Sequence, residues 1–219
     1  MPPARLLIFD MDDTLICSRA TWERAERRFC RMLGQEYDVQ LAARYKGCNA
    51  RDVARAIHAH FQPAGGSMEE CEQHFRQMLC EEFRGPLTAM PGVDALLHLV
   101  AGRYPLAIAS GSPRAVISEI LARQQWMSLF SLFVSSEEVA RGKPEPDVLL
   151  ETAARFGCPA SACLVFEDSL NGVRAAQRAG MRCFVVPSSA DPRIAGEADG
   201  AFTSWEDVSL QTIERYIIT

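Results

Sequence analysis

Four clusters of polar residues, each set just after a short apolar run, could carry chemistry in this sequence. They are Asp10-Met11-Asp12-Asp13-Thr14, Ser110-Gly111-Ser112, Gly142-Lys143-Pro144-Glu145-Pro146 and Glu167-Asp168-Ser169. Brought together, so many carboxylates cannot all stay ionised at neutral pH unless a cation neutralises them or some keep their protons. The donors are oxygens, without His or Cys, which suits a hard divalent cation, Mg²⁺ above all. A lysine and a hydroxyl beside such an ion make a site for a dianionic phosphate. One carboxylate can attack phosphorus to give an aspartyl phosphate. A second, two residues on, can reach the leaving oxygen as general acid and then serve water as general base. The pattern points to phosphoryl transfer through a covalent aspartyl intermediate.

Positioning these residues requires an open parallel sheet. Apolar runs of strand length recur at 6–9, 106–109, 132–134, 163–166 and 183–186. Stretches of helical period at 93–100, 115–123, 148–156 and 173–179 alternate with the later runs. Continuous apolar strands between amphipathic helices predict an α/β fold: a doubly wound, Rossmann-like parallel sheet covered on both faces. Ligands of such sheets gather at the carboxyl ends of the strands, where the polar clusters stand. Pro91-Gly92, Ser112-Pro113 and the prolines at 144 and 146 precede helices, while Gly157 and Gly180 follow them. Between Ser18 and Arg84 there is no convincing strand, only helical patterns at 21–33, 51–61 and 68–83, with a loop at 63–67. The expected organisation is an α/β core of residues 1–17 and 86–219 and an inserted helical cap of residues 18–85, with 85–92 as the return linker.

The 219 residues, 48% hydrophobic and 23% charged, correspond to one or two domains at about 150 residues each. A net charge of −5 provides no basic field, which disfavours nucleic acid as a partner. No stretch approaches the roughly 18 apolar residues of a membrane span, and the run at 6–9 is too short for a signal-peptide core. The eight cysteines form no C-x-x-C pair and read as reduced thiols, so a cytoplasmic protein is expected. The four histidines lie on helical patterns without metal-ligand spacing.

The four clusters resemble the motifs of the haloacid dehalogenase superfamily of phosphohydrolases. Residues 9–15 match its first motif, Ser110 its second, and Lys143-Pro144 its third. Glu167-Asp168, with Ser169, Asn171-Gly172 and Ala179-Gly180, matches the fourth, so order and separation fit along nearly the whole chain. The helical insert resembles the cap of the subgroup containing phosphoglycolate phosphatase, sugar phosphatases and β-phosphoglucomutase. The resemblance implies that Asp10 is the nucleophile and Asp12 the general acid/base. It also implies that Ser110, Gly111 and Lys143 hold the phosphoryl group and that Thr14 fixes the loop by a local hydrogen bond. Mg²⁺ would be bound by Asp10, the backbone carbonyl of Asp12, Asp168 and Glu167, the last directly or through water. In the cap, Tyr45-Lys46-Gly47-Cys48-Asn49 and Arg51 resemble the substrate-facing loop, where Lys46 or Arg51 would meet a second anionic group. Two positions depart from the pattern. Asp13 stands where glycine is usual, and Cys17 where an acidic residue is common.

The expected activity is that of a Mg²⁺-dependent phosphatase acting, as monomer or homodimer, on a small phosphorylated metabolite such as a sugar phosphate or phosphoglycolate. A phosphosugar mutase shares the four motifs but carries a histidine where this chain has Trp22 and an arginine where it has Ala50. The dehalogenase and phosphonate-cleaving branches lack the second aspartate, so Asp12 argues against both. A non-catalytic phospho-acceptor of the receiver type would be shorter and without the insert. Taken singly, Asp10 could be a solvated turn residue, Lys143 a surface lysine, and Glu167 and Asp168 helix-start acids. Their convergence at successive strand ends favours chemistry. Of the two serines, Ser112 is expected to cap the following helix.

Overall fold

In the computed structural model, which describes residues 5–63, 67–186 and 192–217, the apolar runs become one parallel sheet. Its strands are β1 (Leu6–Phe9), β2 (Leu106–Ser110), β3 (Leu132–Ser135), β4 (Cys163–Glu167), β5 (Arg182–Val185) and β6 (Gly200–Ala201), in the order β3-β2-β1-β4-β5-β6. In β1, Ile8 pairs with Ala107 of β2 on one side and Val165 of β4 on the other. The chain reverses its direction of travel across the sheet at β1, which makes the ends of β1, β2 and β4 the switch-point crevice.

Between β1 and β2 lie α1 (Arg19–Met32), α2 (Val39–Tyr45), α3 (Ala50–Phe61) and α4 (Met68–Phe83). The core continues with α5 (Val93–Ala101), α6 (Arg114–Arg123), α7 (Asp147–Phe156), α8 (Leu170–Ala179), α9 (Pro192–Glu197) and α10 (Leu210–Ile217). Alternate strand residues point to opposite faces. Leu7, Phe9, Ile108 and Phe166 meet α5, α6 and α10, whereas Leu6, Ile8, Ala109 and Val165 meet α7 and α8. This double burial explains why the strands read as unbroken apolar runs. Phe9 stacks on Phe166 with ring centroids 4.7 Å apart, directly beneath the strand ends that carry the site.

The insert is all helical, as expected. α1 and α3 both pack on α4, with Phe29 and Phe75 centroids 5.3 Å apart in the shared core. Its two connections pair into a neck. Cys17 N donates to Thr88 O at 2.9 Å, and Met90 N donates to Leu15 O at 2.8 Å. Among the described residues no helix is long and apolar enough to cross a membrane.

Four elements, α2, β6, α9 and α10, stand where the sequence shows no expected strand or helix. α2 buries only Leu41 and Tyr45, too few positions to show a period, and forms because the Asp38 carboxylate accepts the amides of Gln40 and Leu41. The loop at 63–67 lies partly outside the described residues. Gly157 and Gly180 do end α7 and α8 in the left-handed conformation. Ser112 does not cap α6. Pro113 holds the cap position without a side-chain bond, and Ser112 is turned toward the strand ends instead.

Candidate active site

The site begins where β1 runs out. Asp10 N donates to Phe166 O at 2.9 Å, a last rung of the sheet, and the chain then folds back through a tight loop. Leu15 N and Ile16 N both donate to Met11 O, and Asp13 N donates to Ile16 O. Asp13 sits at φ +56°, a left-handed conformation that favours glycine and that aspartate tolerates better than most residues. Its carboxylate has a second task. Asp13 Oδ1 accepts the amides of Ser18 at 3.1 Å and Arg19 at 2.8 Å, the first donors of α1, which Ser18 itself leaves uncapped. The acid in the usual glycine's place thus ties the catalytic loop to the first helix of the insert and sits favourably at that helix's positive end.

Lys143 is the centre of the buried charge. Its side chain is 1% exposed, and Nζ donates to Asp10 Oδ1 at 2.7 Å, Glu167 Oε1 at 2.5 Å and Ala109 O at 3.0 Å. Burial works against the lysine's charge, but Asp10 and Glu167 hold its pKa above the ordinary lysine value. Burial pushes the Asp10 carboxyl well above the usual carboxylate range. Lys143 pulls it back, and Glu167, Asp12 and Asp168 push in the same direction as burial. Asp168 is raised to about 7, again chiefly by burial and against the pull of Lys46. Asp10, Glu167 and Asp168 each offer a carboxylate oxygen within 4.8 Å of the others. With Asp12 beside them, four acids face two ammonium groups, those of Lys143 and Lys46. This excess of oxygen donors and of negative charge fits a hard divalent cation.

Asp12 is held from two sides. Oδ2 accepts from Ser112 Oγ at 2.7 Å, with Ser110 Oγ at 3.4 Å, while Oδ1 accepts from Trp22 Nε1 of α1 at 2.9 Å. Burial raises its pKa, and the hydrogen bonds from Ser112, Trp22 and Ser18 oppose the rise. Ser110 is fully buried and its Oγ accepts the amide of Ser112 at 3.0 Å.

A cavity of about 780 Å³ opens between the insert and the strand ends. Asp10, Asp12, Gly111, Lys46 and Asp168 line its floor, and Trp22, Glu26, Tyr37 and Tyr45 line its insert wall. The Lys46 loop lies close against the core. A Cβ at Gly111 would stand 2.9 Å from Cys48 O, and Asn171 Nδ2 donates to Lys46 O at 2.8 Å.

The structure therefore brings together Asp10, Asp12, Ser110, Gly111, Lys143, Glu167, Asp168 and Lys46. Lys46 Nζ lies 2.6 Å from Asp168 Oδ2, so it joins the carboxylate cluster. Two expectations need correction. Arg51 is not among the residues lining the cavity; its guanidinium reaches the Ala140 carbonyl at 2.8 Å, because the first turn of α3 points toward the loop before Lys143. Thr14 is fully buried, and its Oγ1 has no hydrogen-bond partner among the described residues. Its carbonyl instead accepts from Trp205 Nε1 at 2.9 Å, which anchors the loop from the C-terminal side.

No local sequence signal marks Ser112 and Trp22 as contacts of Asp12, or Glu26 as part of the site. Trp22 and Glu26 are four apart on α1 and so share a face. That spacing was visible, but nothing local says that this face meets the strand ends.

Residues 7–186 match the family model for haloacid dehalogenase-like hydrolases. The chain is 35% identical over 199 residues to the probable pseudouridine-5'-phosphatase of Drosophila melanogaster, a match covering 87% of this chain and 83% of that protein. It is 33% identical over 179 residues to the fructose-1-phosphate phosphatase of Escherichia coli strain K12, covering 80% of this chain and 92% of that one. Among solved structures, the β-phosphoglucomutase of Clostridium difficile shares the fold with a TM-score of 0.86 at 17% identity, covering 98% of this chain and 97% of that one. By the match along most of its length and the phosphatases among its relatives, the chain belongs to the haloacid dehalogenase-like hydrolases and is a phosphoric monoester hydrolase.

Proposed function

We propose that the protein is a Mg²⁺-dependent phosphatase that hydrolyses a small phosphorylated metabolite through an aspartyl phosphate on Asp10. The observation that carries this reading is the buried Lys143 clamp on Asp10 and Glu167, opening onto a cavity that Asp12 shares. Bound at Asp10, Asp168, Glu167 and the Asp12 carbonyl, Mg²⁺ would supply the positive charge that the carboxylates lack. A carboxylate oxygen of Asp10 attacks phosphorus, the bond to the leaving oxygen breaks, and Asp12 delivers a proton to that oxygen. In the second half, Asp12 takes a proton from water, whose oxygen displaces Asp10 and releases inorganic phosphate. Lys143 and Ser110 hold the phosphoryl oxygens, so catalysis is positioning and charge neutralisation. Residues 18–85 act as a cap over the core of 1–17 and 86–219, excluding bulk water during transfer. The eight free cysteines accord with a cytoplasmic setting, and a monomer or homodimer suffices because the described chain alone assembles the site.

A mutase reading is disfavoured at Trp22. The mutases place a histidine there, whereas an indole N–H only donates and cannot relay a proton. Trp22→Phe keeps the packing on Phe75 and Phe83 but removes the bond to Asp12. Without that bond Asp12 is no longer held toward the leaving oxygen, so kcat is expected to fall about tenfold. A hydrogen bond to a charged group is worth about 1.5–3 kcal/mol, so the melting temperature is expected to fall by roughly 3–12 °C. Steady-state kinetics with thermal unfolding check this, and an unchanged kcat would remove Trp22 as a positioning residue.

Phosphate release from purified protein, across sugar phosphates, phosphoglycolate and nucleotides, tests the reading itself. Many turnovers per chain are expected with Mg²⁺ and none with EDTA. One phosphate per chain would point to a phospho-acceptor, and metal-independent turnover would refute the ion's role.

A further inference from the structure

The insert wall of the cavity holds a carboxyl that the reaction does not use. Glu26 lies on α1, four residues beyond Trp22 and therefore on the same face, roughly 6 Å further along the helix axis. Trp22 contacts Asp12, so Glu26 lines the cavity one helical turn away from the phosphoryl end. Glu26 is 6% exposed. Burial pushes its pKa to about 7, the neighbouring Tyr37 and Tyr45 phenols lower it, and of the charged neighbours Glu23 raises it and Arg19 lowers it. A buried carboxyl without a close cation is costly, and an apolar residue would pack at such a position without that cost. A carboxylate accepts at about four lone-pair positions, so even with the Tyr37 and Tyr45 phenols beside it Glu26 keeps acceptor capacity toward the cavity.

We propose that Glu26 determines leaving-group specificity by accepting hydrogen bonds from hydroxyls at the far end of the ester, selecting a polyol-like substrate over one that ends in a second anion. This rests on the phosphatase reading of the same cavity. A second anion at that depth would meet the Glu26 carboxyl, with Glu23 also lining the wall. Lys46, which lines the floor, is held by Asp168 at 2.6 Å, and Arg19, Arg44, Arg174 and Arg193 line the cavity only as exposed residues, Arg174 with Glu197 3.0 Å away. Hydroxyls entering there exchange water for a charge-assisted acceptor, which offsets their desolvation.

The test compares wild type, Glu26→Gln and Glu26→Leu on a hexitol phosphate, phosphoglycolate and p-nitrophenyl phosphate, whose leaving group has neither distal hydroxyls nor a second anion. Glu26→Leu is expected to lose at least tenfold more kcat/KM on the hexitol phosphate than on the aryl ester, mainly through KM. Glu26→Gln, which still accepts a hydrogen bond, is expected to lose less, and phosphoglycolate is expected to gain relative to the hexitol ester in the Leu variant. Equal losses on all three esters, or an unchanged preference in both variants, would overturn the proposal while leaving the phosphatase reading intact. A wild type that hydrolyses none of the three would instead count against that reading. Calorimetric binding of the hexitol phosphate would then decide on Glu26 alone: weaker binding to the Leu variant supports it, equal binding overturns it.

Discussion

Replacing Asp10 with Asn is expected to abolish turnover and leave the fold intact. The amide has the shape of the carboxyl and its oxygen can still accept from Lys143 Nζ, which lies 2.7 Å from Asp10 Oδ1. It lacks the anionic oxygen needed to form the acyl phosphate, so the covalent route closes. Loss of a covalent nucleophile costs on the order of 10⁴-fold or more in kcat. Stability should move in the opposite direction. Burial above all, and then Glu167, Asp12 and Asp168, oppose the ionisation of Asp10 against the pull of Lys143, so a neutral amide there is expected to cost less than the carboxylate in the metal-free protein. The expected pair of results is phosphate release at background level and a melting temperature equal to or above that of wild type. Wild-type rates in this variant would rule out Asp10 as the nucleophile.

Lys143→Met is expected to damage both activity and stability. Methionine fills much of the lysine's volume but leaves Asp10 and Glu167 buried without the ammonium that now lies 2.7 and 2.5 Å from them. Removing one partner of a buried ion pair costs about 3–5 kcal/mol, since the remaining charge is uncompensated. In a protein of this size that corresponds to a melting-temperature drop of roughly 6–20 °C. The loss of a positioned cation from the phosphoryl group should lower kcat on the order of 10²–10³-fold. Thermal unfolding and phosphate release measure the two effects. Adding Asp10→Asn to Lys143→Met should recover part of the stability and none of the activity, because one of the two stranded charges is gone while the nucleophile is absent. If the double variant were no more stable than Lys143→Met, the coupling between these two side chains would not be electrostatic.

Much of this was legible because the signals are local and periodic. The strands at 6–9, 106–109, 132–134 and 163–166 match β1 to β4 to within a residue, since a strand buried on both faces must be apolar throughout. Asp10, Ser110, Lys143, Glu167 and Asp168 could then be placed at one edge because parallel strands end on the same side. Shorter or non-periodic features escaped. α2 has too few buried positions, and β6 has only Gly200 and Ala201. Arg51 and Thr14 stood at plausible positions, but the direction of a side chain depends on how its element docks. The first turn of α3 aims Arg51 at Ala140, and the loop after Asp12 presents Thr14's carbonyl to Trp205 while burying its hydroxyl.

By itself the sequence determined the α/β alternation, the helical insert and the identity of the acids, lysine and serine that stand at the strand ends. These follow from burial periodicity and from the common polarity of parallel strands, which are properties of short segments. Only the tertiary structure decided what closes over those ends: the docking of α1, which sets Trp22 on Asp12 and Glu26 on the cavity wall, and the Lys46 loop against Asp168. Such placements depend on how the insert packs against the core across contacts far apart in the chain. No residue-by-residue pattern encodes that geometry.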